Sequence, residues 1–203
     1  MKEDLIFCPL GGSGEIGMNM NLFAYGKPEN QKWIIVDIGV TFADDSIPGI
    51  DLIYPDPGFI IDKKEDLLGI ILTHAHEDHI GAIAHIWPKL KCKIYATPFT
   101  SVLINEKFKE KKIDITGYLK IVELNTTINL DPFKIEFVTL THSILEPNGL
   151  KIEKETKKKY KIIFTGGYAD LFKTSIKRPF TIDKNITIKG IIEIFKENMK
   201  YLI

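Results

Sequence analysis

Three histidines and an aspartate, His74, His76, Asp78 and His79, fall within six residues of the chain. Imidazole and carboxylate are the groups that hold zinc and similar divalent ions. The apolar run at residues 67–72 reads as a buried strand leading into them, and the residues after them read as a helix. In an extended segment side chains alternate, so His74 and His76 point the same way. Asp78 and His79 then sit at the turn into the helix and can face a second position. One short segment can thus serve two metals. A further ligand must come from elsewhere. His142, just beyond the apolar run at residues 133–140, is the best placed by sequence. His85, on the expected helix, reads as a surface residue. Two close divalent ions generate hydroxide at neutral pH and clamp both oxygens of a displacement, so the expected chemistry is hydrolysis. The cluster alone leaves phosphodiester, thioester and lactam substrates open.

The elements that must position these groups read as follows. Residues 5–10 form a strand that ends in Gly11-Gly12-Ser13-Gly14, and residues 21–25 form a second strand before a loop at 26–30. Residues 33–37 are continuously apolar up to Asp37, the pattern of a strand buried on both faces. Residues 41–61, broken at Pro48-Gly49, Pro55 and Pro57-Gly58, read as a long irregular surface loop. A helix is expected over residues 81–87, with Ile83, Ile86 and Trp87 on one face and Pro88 as its stop. Residues 93–96 form a strand. A helix follows over 98–109, with Thr97 as N-cap, Pro98 at its first position and an apolar face from Val102, Leu103, Asn105, Glu106 and Phe108. Strands return at 119–124 and 133–140, with a turn at 129–132. A hairpin of 150–153 and 160–164 carries a charged tip at 154–159, read as a solvated loop or a phosphate-contacting edge. Residues 189–202 have the apolar pattern of an amphipathic terminal helix. Strands, then strand–helix units, then strands again predict an α/β layered sandwich.

At 203 residues the chain is long enough for one domain with a real core and no more than two. Lys+Arg and Asp+Glu both number 27, so no whole-protein basic field draws it to nucleic acid. Cys8 and Cys92 are too few for a disulfide framework and read as small buried hydrophobes. The N-terminus lacks the apolar core of a secretory signal. No apolar run approaches the roughly 20 residues of a membrane span. These features predict a cytoplasmic protein with no membrane partner, and they leave the oligomeric state open.

The segment Thr73-His74-Ala75-His76-Glu77-Asp78-His79-Ile80-Gly81 resembles the H-x-H-x-D-H signature of metallo-β-lactamase-fold hydrolases. Pro9-Leu10-Gly11-Gly12-Ser13-Gly14-Glu15-Ile16-Gly17-Met18-Asn19 is similar to the start of the bacterial ribonuclease J family. So are Asp37-Ile38-Gly39-Val40-Thr41-Phe42, the stretch Pro48-Gly49-Ile50-Asp51-Leu52-Ile53 with Pro55-Asp56, Tyr95-Ala96-Thr97-Pro98-Phe99-Thr100 and Thr141-His142-Ser143-Ile144. The resemblance covers residues 5 to about 165. It implies an αββα metallo-β-lactamase-like sandwich and a metal-dependent hydrolase of RNA phosphodiester bonds, both endonuclease and 5′-to-3′ exonuclease, with two zinc ions. By motif, His74, His76 and His142 would hold one metal and Asp78 and His79 the other. Asp78 would also face the metal-bound water, and Asp37 would support the site from below. The Gly11 to Gly14 loop would approach the site closely. It is not a phosphate loop of the P-loop kind, because no Gly-Lys-Ser follows.

The sequence also departs from the family. Where the family places a Thr-Gly-Asp whose aspartate bridges both metals, this chain reads Thr165-Gly166-Gly167-Tyr168-Ala169-Asp170. Asp170, three residues later, is the candidate substitute for the bridge that Gly167 cannot supply. The family's nucleotide-binding domain and last metal-binding histidine would lie beyond Ile203. The expectation is therefore one C-terminally truncated, incomplete metallo-β-lactamase-like domain over 1–203, family-like to about 170 and divergent over 171–203, holding one or two zinc ions. Two alternatives stand beside it. One is a non-catalytic metal-binding remnant or interaction module. The other is a small metallo-β-lactamase-fold hydrolase of esters or thioesters.

Overall fold

Continuous apolar runs at residues 33–36 and 67–72 dictate a sheet covered on both faces. The computed structural model describes residues 4–43, 47–154, 162–164 and 180–182. In chain order its strands are β1 (Asp4–Gly11), β2 (Met20–Lys27), β3 (Asn30–Val36), β4 (Thr41–Phe42), β5 (Leu52–Ile53), β6 (Leu67–Ile71), β7 (Ile94–Ala96), β8 (Leu119–Ile121), β9 (Thr127–Leu130), β10 (Phe133–Thr139), β11 (Asn148–Lys154), β12 (Ile162–Phe164) and β13 (Phe180–Ile182). The helices are α1 (Gly58–Ile61), α2 (Glu77–Ile80), α3 (Ile83–Leu90) and α4 (Pro98–Glu110). Two compact units, Met1–Glu155 and Thr156–Ile203, divide the chain.

In the first unit six strands form one sheet in the order β1-β2-β3-β6-β7-β8. The first three run antiparallel, and β3, β6, β7 and β8 run parallel. Parallel neighbours need crossovers. Those from β6 to β7 and from β7 to β8 carry α2, α3 and α4. A second sheet, β11-β10-β9, packs on the first. Ile34 and Ile71 of the large sheet meet Phe133, Ile135 and Phe137 of β10 there, all nearly or fully buried. Each such side chain contributes about 1.5–3 kcal/mol by leaving water. Ile35 and Ile70 alternate with these and are equally buried. On the helical layer Trp87 of α3 packs edge-on against Phe108 of α4 and against Tyr118. Helices, sheet and sheet are three layers of the expected α/β sandwich.

Several local expectations need correction. The helix before β7 begins at Ile83 and passes through Pro88 to Leu90. Buried Ile86, Trp87 and Leu90 hold its last turn, and Lys91, in the left-handed region, donates its N–H to the Trp87 carbonyl at 2.8 Å to close it. The inner face of α4 is Thr100, Ser101, Ile104 and Phe108, while Val102 is exposed. Thr97 occupies the N-cap position of α4 without a side-chain cap. Residues 127–130 form strand β9, so the turn reduces to Asp131-Pro132. The irregular stretch 41–61 contains the β4–β5 ladder and α1. In the second unit, the return strand of the expected hairpin, β12, pairs in parallel with β13. The rest of the charged tip beyond Lys154, residues Gly167 and Asp170, and the expected helix 189–202 lie outside the described residues. Among the described residues no helix is long and apolar enough to cross a membrane.

Candidate metal centre

The site sits at the carboxyl ends of β3 and β6, where open α/β sheets present ligands. Strand β3 ends at Val36, and Asp37 takes a left-handed conformation with φ 64°. That conformation is unfavourable for a residue with a Cβ. Here it turns a buried carboxylate toward the end of β6. Thr73, just past β6, donates its backbone N–H to Asp37 Oδ1 at 2.8 Å. Its hydroxyl lies 3.0 and 2.9 Å from the two carboxylate oxygens. A carboxylate only accepts, so the single hydroxyl hydrogen of Thr73 goes to Asp37. The Thr73 oxygen is then an acceptor for His74 Nδ1, 2.9 Å away. That assignment leaves the Nε2 lone pair of His74 free to bind metal.

His76 is extended at φ −70° and ψ 152°, and Ala75, between the two histidines, is buried in the core. His74 Nε2 and His76 Nδ1 lie 3.1 Å apart. With bonds of about 2.0–2.1 Å and tetrahedral angles, two imidazole nitrogens on one zinc stand about 3.3 Å apart. His142 comes from the loop between β10 and β11, and its ring centroid is 5.0 Å from that of His74 and 4.8 Å from that of His76. Ligand nitrogens of the three histidines lie within 4.8 Å of one another, so the set fits a single divalent ion. His74 is buried, His76 half-buried and His142 exposed, which leaves the centre open on one side. Burial above all, then the charge of His79, hold the His74 imidazole down at about 4 against partial opposition from Asp37. His74 is therefore neutral at pH 7, the form that binds metal.

Asp78 and His79 form a second pair. His79 donates Nδ1–H to Asp37 Oδ2 at 2.7 Å, which turns its Nε2 toward Asp78 Oδ2, 3.4 Å away. Burial depresses His79, but the hydrogen bond and charge of Asp37 and the charge of Asp78 outweigh it, so its pKa is raised. The His74 and His79 rings are 4.0 Å apart, so this pair is adjacent to the three histidines. His85 stands apart, exposed on α3 and stacked on Tyr54. Cys8 and Cys92 are buried free thiols, pushed up by burial to about 11 and about 12.

Thr73, Asn19 and Gly39 carried no assigned role at the metal centre in the sequence. Thr73 links Asp37 to His74. Asn19 donates Nδ2–H to the Asp78 carbonyl at 2.9 Å and sits 3.4 Å from both Asp78 Oδ2 and His79 Nε2. Gly12, at φ 79°, lies so close that an added Cβ would meet Asn19 Oδ1 at 2.3 Å, so the glycine-rich loop presses Asn19 onto the site. Gly39 passes directly beneath the Asp78–His79 turn, and a Cβ there would stand 1.7 Å from the Asp78 carbonyl. Ile38 N–H bonds to the His79 carbonyl at 2.7 Å and Val40 N–H to the Glu77 carbonyl at 3.0 Å, fixing that turn.

The chain is similar to several known proteins. The chain is 44% identical over 155 residues to a ribonuclease J of Sinorhizobium meliloti, which covers 75% of this chain and 27% of the relative. It is 38% identical over 168 residues to ribonuclease J of Helicobacter pylori, covering 82% and 23%. Ribonuclease J 2 of Staphylococcus aureus is 32% identical over 202 residues, covering 100% of this chain and 34% of the relative. The chain thus spans about a quarter to a third of the length of these relatives. Among solved structures, a diphosphatase of the PhnP family shares the fold at a TM-score of 0.50 and 15% identity, over 80% of this chain and 65% of that one. Residues 32–178 match the beta-lactamase superfamily domain. Because that domain extends over most of its length, the chain belongs to the beta-lactamase superfamily.

Proposed function

We propose that this chain is a metal-dependent hydrolase of RNA phosphodiester bonds, of the ribonuclease J kind, acting as endonuclease and 5′-to-3′ exonuclease with one or two zinc ions. The observation that carries this reading is the convergence of His74, His76 and His142 on one point at the end of β6. The identity to ribonucleases J supports the choice of RNA as substrate. A divalent ion bound there supplies Lewis acidity to the phosphoryl oxygens and acidifies water. His74, His76 and His142 would hold the first ion, and Asp78 and His79 the second. Asp37 orients His79 directly and His74 through Thr73. Asp78, beside the second position, would take up the proton of the attacking water. Asp170 is the proposed substitute for the bridging carboxylate that Gly167 lacks. Residues 1 to about 170 form the family-like part of this domain and 171–203 a divergent tail. Two unpaired buried thiols accord with a reducing, cytoplasmic setting.

End-labelled single-stranded RNA, incubated with the purified chain in zinc and in excess chelator, tests the proposal. Cleavage in zinc, abolished by chelator and by Asp78→Ala, is the expected result. A zinc-loaded chain that leaves RNA intact overturns it. Intact RNA with turnover of a thioester or other ester points to the small-molecule hydrolase, and no turnover at all points to a binding module.

A further inference from the structure

His142 is the one member of the triad on an exposed loop, and the polar contacts that fasten this loop run through the residues just after it. The loop leaves β10 at Thr139 and returns to β11 at Asn148, and these two residues are paired. The N–H of Leu140 donates to the Pro147 carbonyl at 2.9 Å, narrowing the neck. Buried Asn148 donates its backbone N–H to the Thr73 carbonyl at 3.2 Å and its Nδ2–H to the Glu146 carbonyl at 2.7 Å. The return of the loop is thus tied to the residue before His74. Glu146 provides a second anchor, toward α4. Its Oε2 accepts the N–H of Phe99 at 2.8 Å, from 47 residues away.

The first turn of a helix has N–H groups with no internal partner and a partial positive charge. In α4 the N-cap side chain meets neither need, because Thr97 Oγ1 donates to Thr100 Oγ1 at 3.1 Å. The half-buried carboxylate of Glu146 takes that role from across the fold. To do so Glu146 adopts φ 52°, a conformation that side chains other than glycine, Asn and Asp rarely take. A strained residue four positions after a metal-ligating histidine, held by a helix end, is a clamp on the histidine's loop.

We infer that Glu146 is a positioning residue that sets the His142 imidazole against His74 and His76 by docking the loop onto the N-terminus of α4. The inference rests on the reading of the triad as a metal centre. Its test is a zinc titration of the full chain against a competing chelator, with unfolding temperature measured alongside. Glu146→Ala is expected to weaken zinc binding tenfold or more, the range found when groups supporting a ligand are removed. Glu146→Gln, which keeps an acceptor oxygen, is expected to stay within about threefold of the parent, a value set by the neutral hydrogen bond it retains. In a His142→Ala background the Glu146→Ala change is expected to cost no further affinity. If Glu146→Ala does not fold, Glu146→Asp, one methylene short of Phe99, makes the same comparison and is expected to weaken binding. Parental zinc affinity in Glu146→Ala, or in that event Glu146→Asp, with a lowered unfolding temperature, overturns the inference and leaves Glu146 a helix cap. Losses that add in the double variant overturn it as well. Absence of zinc binding by the parent is a separate outcome that overturns the metal centre itself.

Discussion

His79 donates its Nδ1–H to Oδ2 of Asp37 with the two heavy atoms 2.7 Å apart, between residues 42 positions apart in sequence. The same carboxylate holds the hydroxyl and backbone N–H of Thr73, whose oxygen sits against His74 Nδ1. One buried side chain therefore orients an imidazole of each proposed ligand set.

Replacing Asp37 should disturb both sets at once. Asp37→Ala leaves the Thr73 N–H and the His79 Nδ1–H without partners in a mostly buried setting, at about 1–3 kcal/mol each. The metal-free chain should lose at least about 2 kcal/mol in urea unfolding. Zinc affinity should fall by about tenfold to a hundredfold. Parental affinity in this variant would show that Asp37 does not orient the ligands.

Gly39→Ala tests the floor of the second pair. Its φ is unexceptional, and the obstacle is space, since the new Cβ would stand 1.7 Å from the Asp78 carbonyl. The Asp78–His79 turn must move away, and overpacking of this kind costs about 1–3 kcal/mol or more. The expected result is a lower unfolding temperature together with the loss of any second bound ion. A crystal structure of the variant with the turn in place would contradict this.

Much of this was legible in the sequence because it is local. The spacing of His74, His76, Asp78 and His79 brings these four side chains to one place, and alternation along an extended segment is enough to pair His74 with His76. The strands at the site were legible because β3 and β6 are apolar on both faces. The role of Asn19 was not, because it acts on residues 59 and 60 positions away through a contact that no period encodes. The inner face of α4 was misjudged for a different reason. Thr100 and Ser101 are buried with their hydroxyls bonded to Thr97 and to the Pro98 carbonyl, so polar residues face inward where apolar ones were expected. Strand β9 was read as a turn because residues 127–130 show only a short, half-exposed alternation.

The titration of the metal-free chain follows from opposite shifts in two histidines. His74 falls from an ordinary 6.5 to about 4, so between these values the unfolded chain binds the extra proton. Its contribution is complete above pH 6.5 and is lost as the pH drops toward 4, on the order of 3 kcal/mol in full. His79 is raised, so its contribution is complete below 6.5 and fades as pH climbs through its folded value. Urea unfolding at a series of pH values should show the acid loss in the parent and a shallower one in His74→Asn. Equal slopes in the two proteins would rule out a depressed His74.

The measurement that bears most directly on the metal centre is zinc content after equilibrium dialysis, compared between the parent chain and His76→Ala. His76 supplies one of three imidazoles within 4.8 Å of one another. The parent should retain at least one zinc per chain, and His76→Ala should lose most of it while keeping its fold by circular dichroism. Stoichiometric zinc retained in His76→Ala would contradict the ligand assignment on which the account stands.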